Sequence, residues 1–297
     1  MDIGYVGNRG DHLLNLYNFN QGLLPSPAPY TIDGFSTNKE LFGFNQVQAE
    51  ATSEYNSLQA SLTKHFSHGL QFLASYTYSR SIDNASANNN VGAESEIAAL
   101  PGDQQNLNTQ IGPSDFDRTH RFVFSGVYDL PKLYRGDSHF AKALGNDWET
   151  NGVVTLQTGL PYSVICSDGS SLNHRGDLLP GVPTVTSSGS TVSRLGDYFN
   201  TAALGPCTEL SNVAPFGTSS RNSLRGSGQK NIDFSLVKFF PVTEKSKVEF
   251  RAEFFNIFDF VNFAQPNNNA FVPATFGTIT ATSAGPRMIQ FALKYSF

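Results

Sequence analysis

The stretch that decides the fold is Lys247-Val248-Glu249-Phe250-Arg251-Ala252-Glu253-Phe254. Charged and apolar side chains alternate in it strictly, so every second residue points to the same side of an extended chain. The segment is therefore predicted to be a β-strand with one polar and one apolar face.

The same period of two recurs along the chain, whereas helical periodicity is almost absent. Most of the segments are about ten residues long, which is the length that a tilted β-strand needs to cross a bilayer. Seven further strands are predicted, at about Ile3–Gly7, Ser57–Phe66, Leu70–Ser79, His120–Leu130, Trp148–Leu160, Asn231–Phe240 and Met288–Phe297.

The connections between these strands alternate between short and long. The shorter ones are Ser67–Gly69, Pro131–Asp147 and Pro241–Ser246, and the long ones are about 10–53, 83–117, 161–228 and 259–286. A transmembrane β-barrel has this asymmetry, with tight periplasmic turns and long extracellular loops. A soluble β-sandwich accounts for the alternation within strands but not for the ordering of the loops. The fold is thus predicted to be all-β, an antiparallel outer-membrane β-barrel of about eight strands in this chain.

Composition agrees with this prediction and excludes two other classes. The chain has 26 Gly, 25 Phe and 11 Tyr but only 15% charged residues, and its mean hydropathy is −0.26. No apolar run of about 18 residues is present, which excludes a helical membrane protein. The net charge of −5 argues against a nucleic-acid partner, which requires a basic face. Residues Met1–Asn8 lack the pattern of a signal peptide, and we expect the protein to begin upstream of this segment.

The two cysteines, Cys166 and Cys207, lie in the same Gly/Ser/Pro-rich stretch. They are too few for a metal knuckle or a framework of several disulfides. In an oxidising compartment they are expected to form a disulfide within that stretch, and the alternative is two unpaired thiols.

Several charged groups are candidates for a site. Lys247, Glu249, Arg251 and Glu253 are predicted to face the barrel lumen, where the simplest role is a solvated wall whose charges pair with neighbouring strands. The Asp115–His120 segment is predicted to be a loop-to-strand junction with Asp–Arg pairing, since it lacks the spacing of a calcium loop. Arg-Gly-Asp occurs at 9–11, 135–137 and 175–177, which charged, Gly-rich turns generate readily.

No enzyme site can be named from the sequence. Gly-x-Ser-x-Gly is absent, and the six histidines lack the spacing of metal ligands. We therefore predict no catalytic residue, no cofactor and no metal.

Several motifs, in the same order along the chain, resemble the last third of an Oar-like TonB-dependent receptor. They are Tyr55–Leu62 (YNSLQASL), Phe72–Asp83 (FLASYTYSRSID), Gly112–Arg121 (GPSDFDRTHR), Arg221–Gly226 (RNSLRG), Phe250–Phe258 (FRAEFFNIF) and Gln290–Phe297 (QFALKYSF). The resemblance implies part of a barrel of about 22 strands with a plugged lumen, which imports a bulky nutrient with energy delivered by TonB. The signal peptide, TonB-contacting segment and plug of such receptors precede the region matched, so TonB is implied as a partner only where an upstream plug exists.

The resemblance also implies other partners and one site. The terminal aromatic Phe297, with Tyr295 and Phe291 on the same strand face, resembles the signal that the barrel-assembly machinery reads. Outer-membrane lipid is the expected surrounding, in a Gram-negative bacterium. The transported ligand is not readable from the loops. Two alternatives to an importer stay open: an outer-membrane structural or adhesion protein, and a soluble secreted β-protein that binds ligands.

Overall fold

The computed structural model describes residues 1–18, 31–32, 35–36, 45–86, 103, 106–167, 173–185, 189–204, 216–244 and 246–297. Eight long strands dominate this part of the chain. They are β1 (Asp2–Asn18), β2 (Asn45–Ser67), β3 (Leu70–Asp83), β4 (His120–Asp129), β5 (Trp148–Gln157), β6 (Gln229–Pro241), β7 (Lys247–Phe255) and β8 (Met288–Ser296).

The eight strands form one antiparallel sheet in which each strand pairs with its neighbours in the sequence. The two-residue strand Gly112–Pro113 joins the same sheet beside β3. β1 and β8 are the two edges, and no pairing between them occurs among the described residues. The sheet is therefore open in the part of the chain that the structure describes.

The other described elements are short. They are the strand pairs Thr31–Ile32 with Phe35–Ser36, Pro161–Tyr162 with Leu224–Arg225 and Ile165–Ser167 with Asn173–Arg175, the 3-10 turns Leu107–Gln110 and Val192–Arg194, and one helix, α1 (His139–Gly145). Among the residues described, no helix is long and apolar enough to span a membrane.

Register places the alternating side chains on two distinct faces. On β7 and β8, Phe250 lies opposite Leu293 and Ala252 opposite Phe291, whereas Glu253 lies opposite Gln290. On the apolar face, Phe291 and Leu293 are 67% and 74% exposed. A face of large exposed apolar side chains requires an apolar surrounding, as the lipid-facing side of a barrel has.

Two predictions about local structure were wrong. β1 continues to Asn18 and β2 begins at Asn45, so the predicted strand Ile3–Gly7 is too short and the predicted loop 10–53 is too long. In β1 the register shifts around Leu13, which interrupts the alternation. In β2, Val47, Ala49 and Ala51 do alternate with polar residues, and this signal was overlooked. The Pro131–Asp147 connection contains α1, which is too short to show a helical period.

The turns at the short-connection end match the sequence closely. His68 and Gly69 both have positive φ, 53° and 77°, as a tight two-residue hairpin between β2 and β3 requires. A Cβ at Gly69 would lie 2.8 Å from the backbone oxygen of Asp129. Glycine is therefore needed there for both the conformation and the close approach of the next strand.

The opposite end of the sheet carries a folded layer, called here the cap, which comprises the described parts of the β3–β4, β5–β6 and β7–β8 connections. Its small apolar core contains Tyr162, Val164, Tyr198, Phe199, Leu204, Leu224 and Ile279. Backbone hydrogen bonds join the β5–β6 and β7–β8 connections, including Tyr198 N to Gly277 O and Ile279 N to Leu195 O. The long loops thus form a structure of their own.

Candidate functional site

The centre of the cap is a buried polar cluster around Arg221. Its Nη1 donates to Asp83 Oδ1 at 2.6 Å and to the backbone oxygens of Asp83 and Gln110. Its Nη2 donates to Ser86 Oγ and, at 3.3 Å, to Asp115 Oδ1. Asp83 ends β3, and Arg221 lies just before β6, so this guanidinium ties the β3–β4 connection to the β5–β6 connection.

Asn222 extends the cluster from the left-handed conformation, with φ of 53°. Its Nδ2 donates to Asp115 Oδ1 at 2.6 Å and to Pro113 O at 2.7 Å. Its backbone N–H donates to Ser163 Oγ. Asparagine tolerates positive φ better than most residues, and its side chain and backbone N–H together reach two segments, 113–115 and the one that contains Ser163. We call Asp83, Ser86, Asp115, Arg221 and Asn222 the latch.

A second ion pair lies beside the latch and also joins the β3–β4 connection to the β5–β6 connection. Arg225 Nη2 contacts Asp117 Oδ2 at 2.6 Å, and Nη1 donates to the backbone oxygens of Asp117 and Gly159. The other carboxylate oxygen of Asp117 accepts from the backbone N–H of Ser81 at 2.7 Å. The Asp–Arg pairing predicted for the Asp115–His120 junction is present, and its arginines come from the Arg221–Gly226 stretch.

Arg175 is a further buried cation in the cap. It donates to Ser219 O through Nε, to Gln110 Oε1 through Nη1 and to Thr109 O through Nη2. Burial, assisted by the charge of Arg221, lowers the pKa of Arg175 to about 10. These three oxygens are neutral acceptors, and through them Arg175 gives the loops directional hydrogen bonds.

The Arg-Gly-Asp triplet at 175–177 lies inside the cap. Arg175 and Asp177 are both buried, and Asp177 Oδ1 accepts from the backbone N–H of Thr218. Desolvation raises the pKa of Asp177. A buried triplet offers no surface to an adhesion receptor.

The charged ladder on β7 lies on the polar face, where Glu249, Arg251, Glu253, Gln290, Ala292 and Lys294 line a cavity of about 290 Å³. Arg251 pairs with Glu249 at 2.5 Å and with Glu253 at 3.7 Å. Both of these partners belong to the same strand. In register, Glu249 also lies opposite Lys294 of β8, so the pairing of charges with neighbouring strands stays a prediction. Lys247 Nζ lies 4.8 Å from the ring centre of Phe239.

The other predicted positions are not members of the latch. Phe291, Tyr295 and Phe297 are all exposed at the edge strand β8 and its end, so the structure leaves their role as an assembly signal a prediction. Cys166 is buried and disulfide-bonded. Its predicted partner, Cys207, lies outside the described residues.

Within the described ranges, no cluster of three or more His, Cys, Asp or Glu side chains is arranged to hold a metal ion. The latch consists of ion pairs whose donors and acceptors already satisfy one another.

Reasoning from the sequence missed the latch as a unit. Asp115 and Asn222 are 107 positions apart, and nothing local indicates that they meet. The signal that was available is the presence of both stretches among the motifs of the resemblance. Asn256, in another of these motifs, was also missed: it bonds Phe260 N and O through its side chain and Asp233 through its backbone N–H, which shapes the turn after β7.

A sequence model described as an outer membrane beta barrel domain matches residues 1–290. No curated protein and no solved structure shows a significant match to the chain. The matched range includes the first seven strands, the first three residues of β8 and the latch. The antiparallel sheet with one exposed apolar face is the architecture expected of such a domain. The chain therefore belongs to the outer membrane beta barrel domain family, and it resides in the outer membrane of a Gram-negative bacterium.

Proposed function

We propose that this chain is the C-terminal barrel segment of a TonB-dependent receptor that imports a bulky nutrient across the outer membrane. The observation that carries the proposal is the open sheet, whose edges β1 and β8 are unpaired among the described residues. Unsatisfied backbone groups are costly in lipid, so further strands are expected to complete the wall. Large barrels of about 22 strands are the class whose lumen holds a plug.

Two further features support this role. The polar face carries charged and amide side chains such as Glu249, Arg251 and Gln290, which suit a hydrated wall or contact with a plug. The cap is fixed by buried ion pairs, so its outer surface is preorganised to capture a ligand from the medium. The motifs that carry the resemblance to TonB-dependent receptors supply both residues of the Arg221–Asp83 and Asn222–Asp115 contacts.

The partners follow from this function. Lipid surrounds the apolar face, the barrel-assembly machinery reads the strand that ends at Phe297, and TonB acts through a plug encoded upstream. We propose neither catalysis nor nucleic-acid binding for this chain. Its role in transport is to form part of the wall and of the external ligand surface.

The alternative is an outer-membrane structural or adhesion protein without TonB-coupled transport. The rigid cap would serve contact with a surface equally well. The burial of the 175–177 triplet counts against integrin-type adhesion through that segment, while the triplet at 9–11 is exposed, with Arg9 paired to Asp11.

One experiment separates the two functions. Outer membranes from native cells are treated with formaldehyde and blotted with antibodies against TonB and against residues 161–228. We expect an outer-membrane band well above 32.3 kDa and a larger cross-linked product that both antibodies recognise. A 32.3 kDa band without a TonB adduct would contradict import and favour the structural alternative.

A further inference from the structure

The β4–β5 connection, at the short-connection end of the sheet, is held rigidly against the strands. Tyr134 and Asn146 exchange two hydrogen bonds of 3.0 Å between the backbone of the first and the side chain of the second. Lys238 Nζ, from β6, donates to Asn146 O. Ser138 caps α1 by accepting from Ala141 N. The surface of this connection is therefore set by the fold.

That surface is unexpectedly apolar. Leu133 is 68% exposed, Phe140 is 76% exposed and Leu144 is 50% exposed. Phe140 and Leu144 are four residues apart on α1 and so lie on one face of the helix. Connections that face water are normally polar, and large apolar side chains grouped on one surface mark contact with a membrane or a protein.

The apolar surface is continuous with the lipid-facing side of the barrel. Trp148, the first residue of β5, donates from Nε1 to Leu144 O at 2.8 Å. In register, Trp148 lies opposite Lys238 of β6, and Lys238 lies opposite Phe250 of β7. Phe250 lies opposite Leu293 of β8, which belongs to the exposed apolar face. Tryptophan at the end of a membrane strand marks the level of the lipid headgroups.

Cations accompany the apolar side chains. Lys132 and Arg135 are exposed on the same connection, where their stems can lie along apolar surface while their charges reach phosphate groups. Short connections of outer-membrane barrels face the periplasm, and the leaflet on that side consists of phospholipid.

We propose that the β4–β5 connection is a membrane-surface anchor, in which α1 lies in the headgroup region of the inner phospholipid leaflet. Phe140 and Leu144 enter the boundary between headgroups and acyl chains, as the apolar side of an interfacial helix does. Lys132 and Arg135 contact lipid phosphates. The proposal requires only the membrane location of the chain and is independent of TonB-coupled import.

The test uses fluorescence, because the chain has a single tryptophan. In the Trp148→Phe background of the full protein, Phe140→Trp reports on the proposed lipid-facing side. Lys142→Trp is the matched control, about 200° around the same helix. Each variant is reconstituted into phosphatidylethanolamine–phosphatidylglycerol vesicles, with and without bromine on the upper acyl chain, and the spectrum of the background is subtracted.

We expect brominated lipid to quench position 140 several-fold more strongly than position 142, and aqueous acrylamide to quench 142 more strongly. Equal quenching of both positions by acrylamide, with no effect of brominated lipid, would overturn the proposal. Shielding of position 140 from both quenchers would also overturn it, since a protein would then cover the helix. Heat-modifiable gel mobility of each variant verifies that the barrel is folded.

Discussion

Arg221 and Asp83 are 138 positions apart and meet in an ion pair of 2.6 Å whose side chains are each 3% exposed. A charge this deeply buried is tolerable because every donor on the Arg221 terminal nitrogens finds oxygen nearby. Removing one partner leaves the other charged, buried and uncompensated, which is far more costly than losing an exposed pair. The folded structure of the β3–β4 connection therefore depends on that of the β5–β6 connection, and the reverse also holds.

Replacing Arg221 with Met is expected to destabilise the cap by about 3–5 kcal/mol, the cost of breaking a buried pair from one side. The eight-stranded sheet should persist. Hydrogen exchange in reconstituted membranes measures this as faster exchange in both the 106–118 and 216–228 segments. Arg9→Met is the control, since Arg9 and Asp11 are 74% and 46% exposed and such pairs contribute about 0–1 kcal/mol. Equal effects of the two substitutions would contradict the role of the latch.

Two glycines with nearly the same backbone angle differ in their surroundings. Gly217 has φ of 81°, and a Cβ there would lie 1.9 Å from Arg175 O. Gly181 has φ of 79° with nothing within 4 Å. Gly181→Ala should lower the free energy of unfolding by about 1–2 kcal/mol, the cost of placing a Cβ in the left-handed conformation. Gly217→Ala should lower the free energy of unfolding clearly more. The temperature at which the cap loses its resistance to protease measures the difference between the two variants. Similar losses would show that the contact with Arg175 is unimportant.

Tyr162 is a buried tyrosine whose hydroxyl has no hydrogen-bond partner within the described part of the chain. An unsatisfied buried polar group costs about 1–3 kcal/mol, so Tyr162→Phe should leave the cap equally stable or more stable at pH 7. Tyr198→Phe, the control, should weaken it, because Tyr198 Oη donates to Arg225 O. Near-ultraviolet circular dichroism during heating compares the two, and a loss of stability in Tyr162→Phe would contradict the expectation.

The same tyrosine gives the cap a dependence on alkaline pH. Burial raises the pKa of Tyr162 above its ordinary value of 10.0, so the folded cap retains a proton that the unfolded chain loses. The stabilising contribution is complete below pH 10.0 and is lost as pH rises through the folded-state pKa. We expect the free energy of unfolding of the cap to fall as the pH rises above 10.0, and to fall less steeply in Tyr162→Phe. An identical pH profile for the two proteins would rule out this origin.

The predicted disulfide between Cys166 and Cys207 closes a loop of about 40 residues, which is worth about 4 kcal/mol in the chain-entropy model. Reduction with dithiothreitol, or Cys166→Ser, should therefore expose the 161–228 connection to protease while β5 and β6 stay protected. Peptide mapping without reduction should recover the two cysteines in one linked product. Recovery of both as free thiols would contradict the pairing.

The sequence by itself determined the strands and their two faces. Alternation of the kind seen from Lys247 to Phe254 is a local property of the chain, because successive side chains of any strand point to opposite sides. The same holds for the turn at His68 and Gly69 and for the order of short and long connections. All of these depend on residues that are neighbours in the sequence.

The tertiary structure alone decided which distant residues meet. Arg221 reaches Asp83, and Arg225 reaches Asp117, because the sheet brings the ends of β3, β4, β5 and β6 to one level. No local pattern specifies which carboxylate an arginine finds across more than a hundred positions. The full length of β1 was missed because the register shift around Leu13 interrupts its alternation. The helix α1 was missed because one or two turns of helix carry no period. Contacts set by pairing geometry appear only when the strands are assembled.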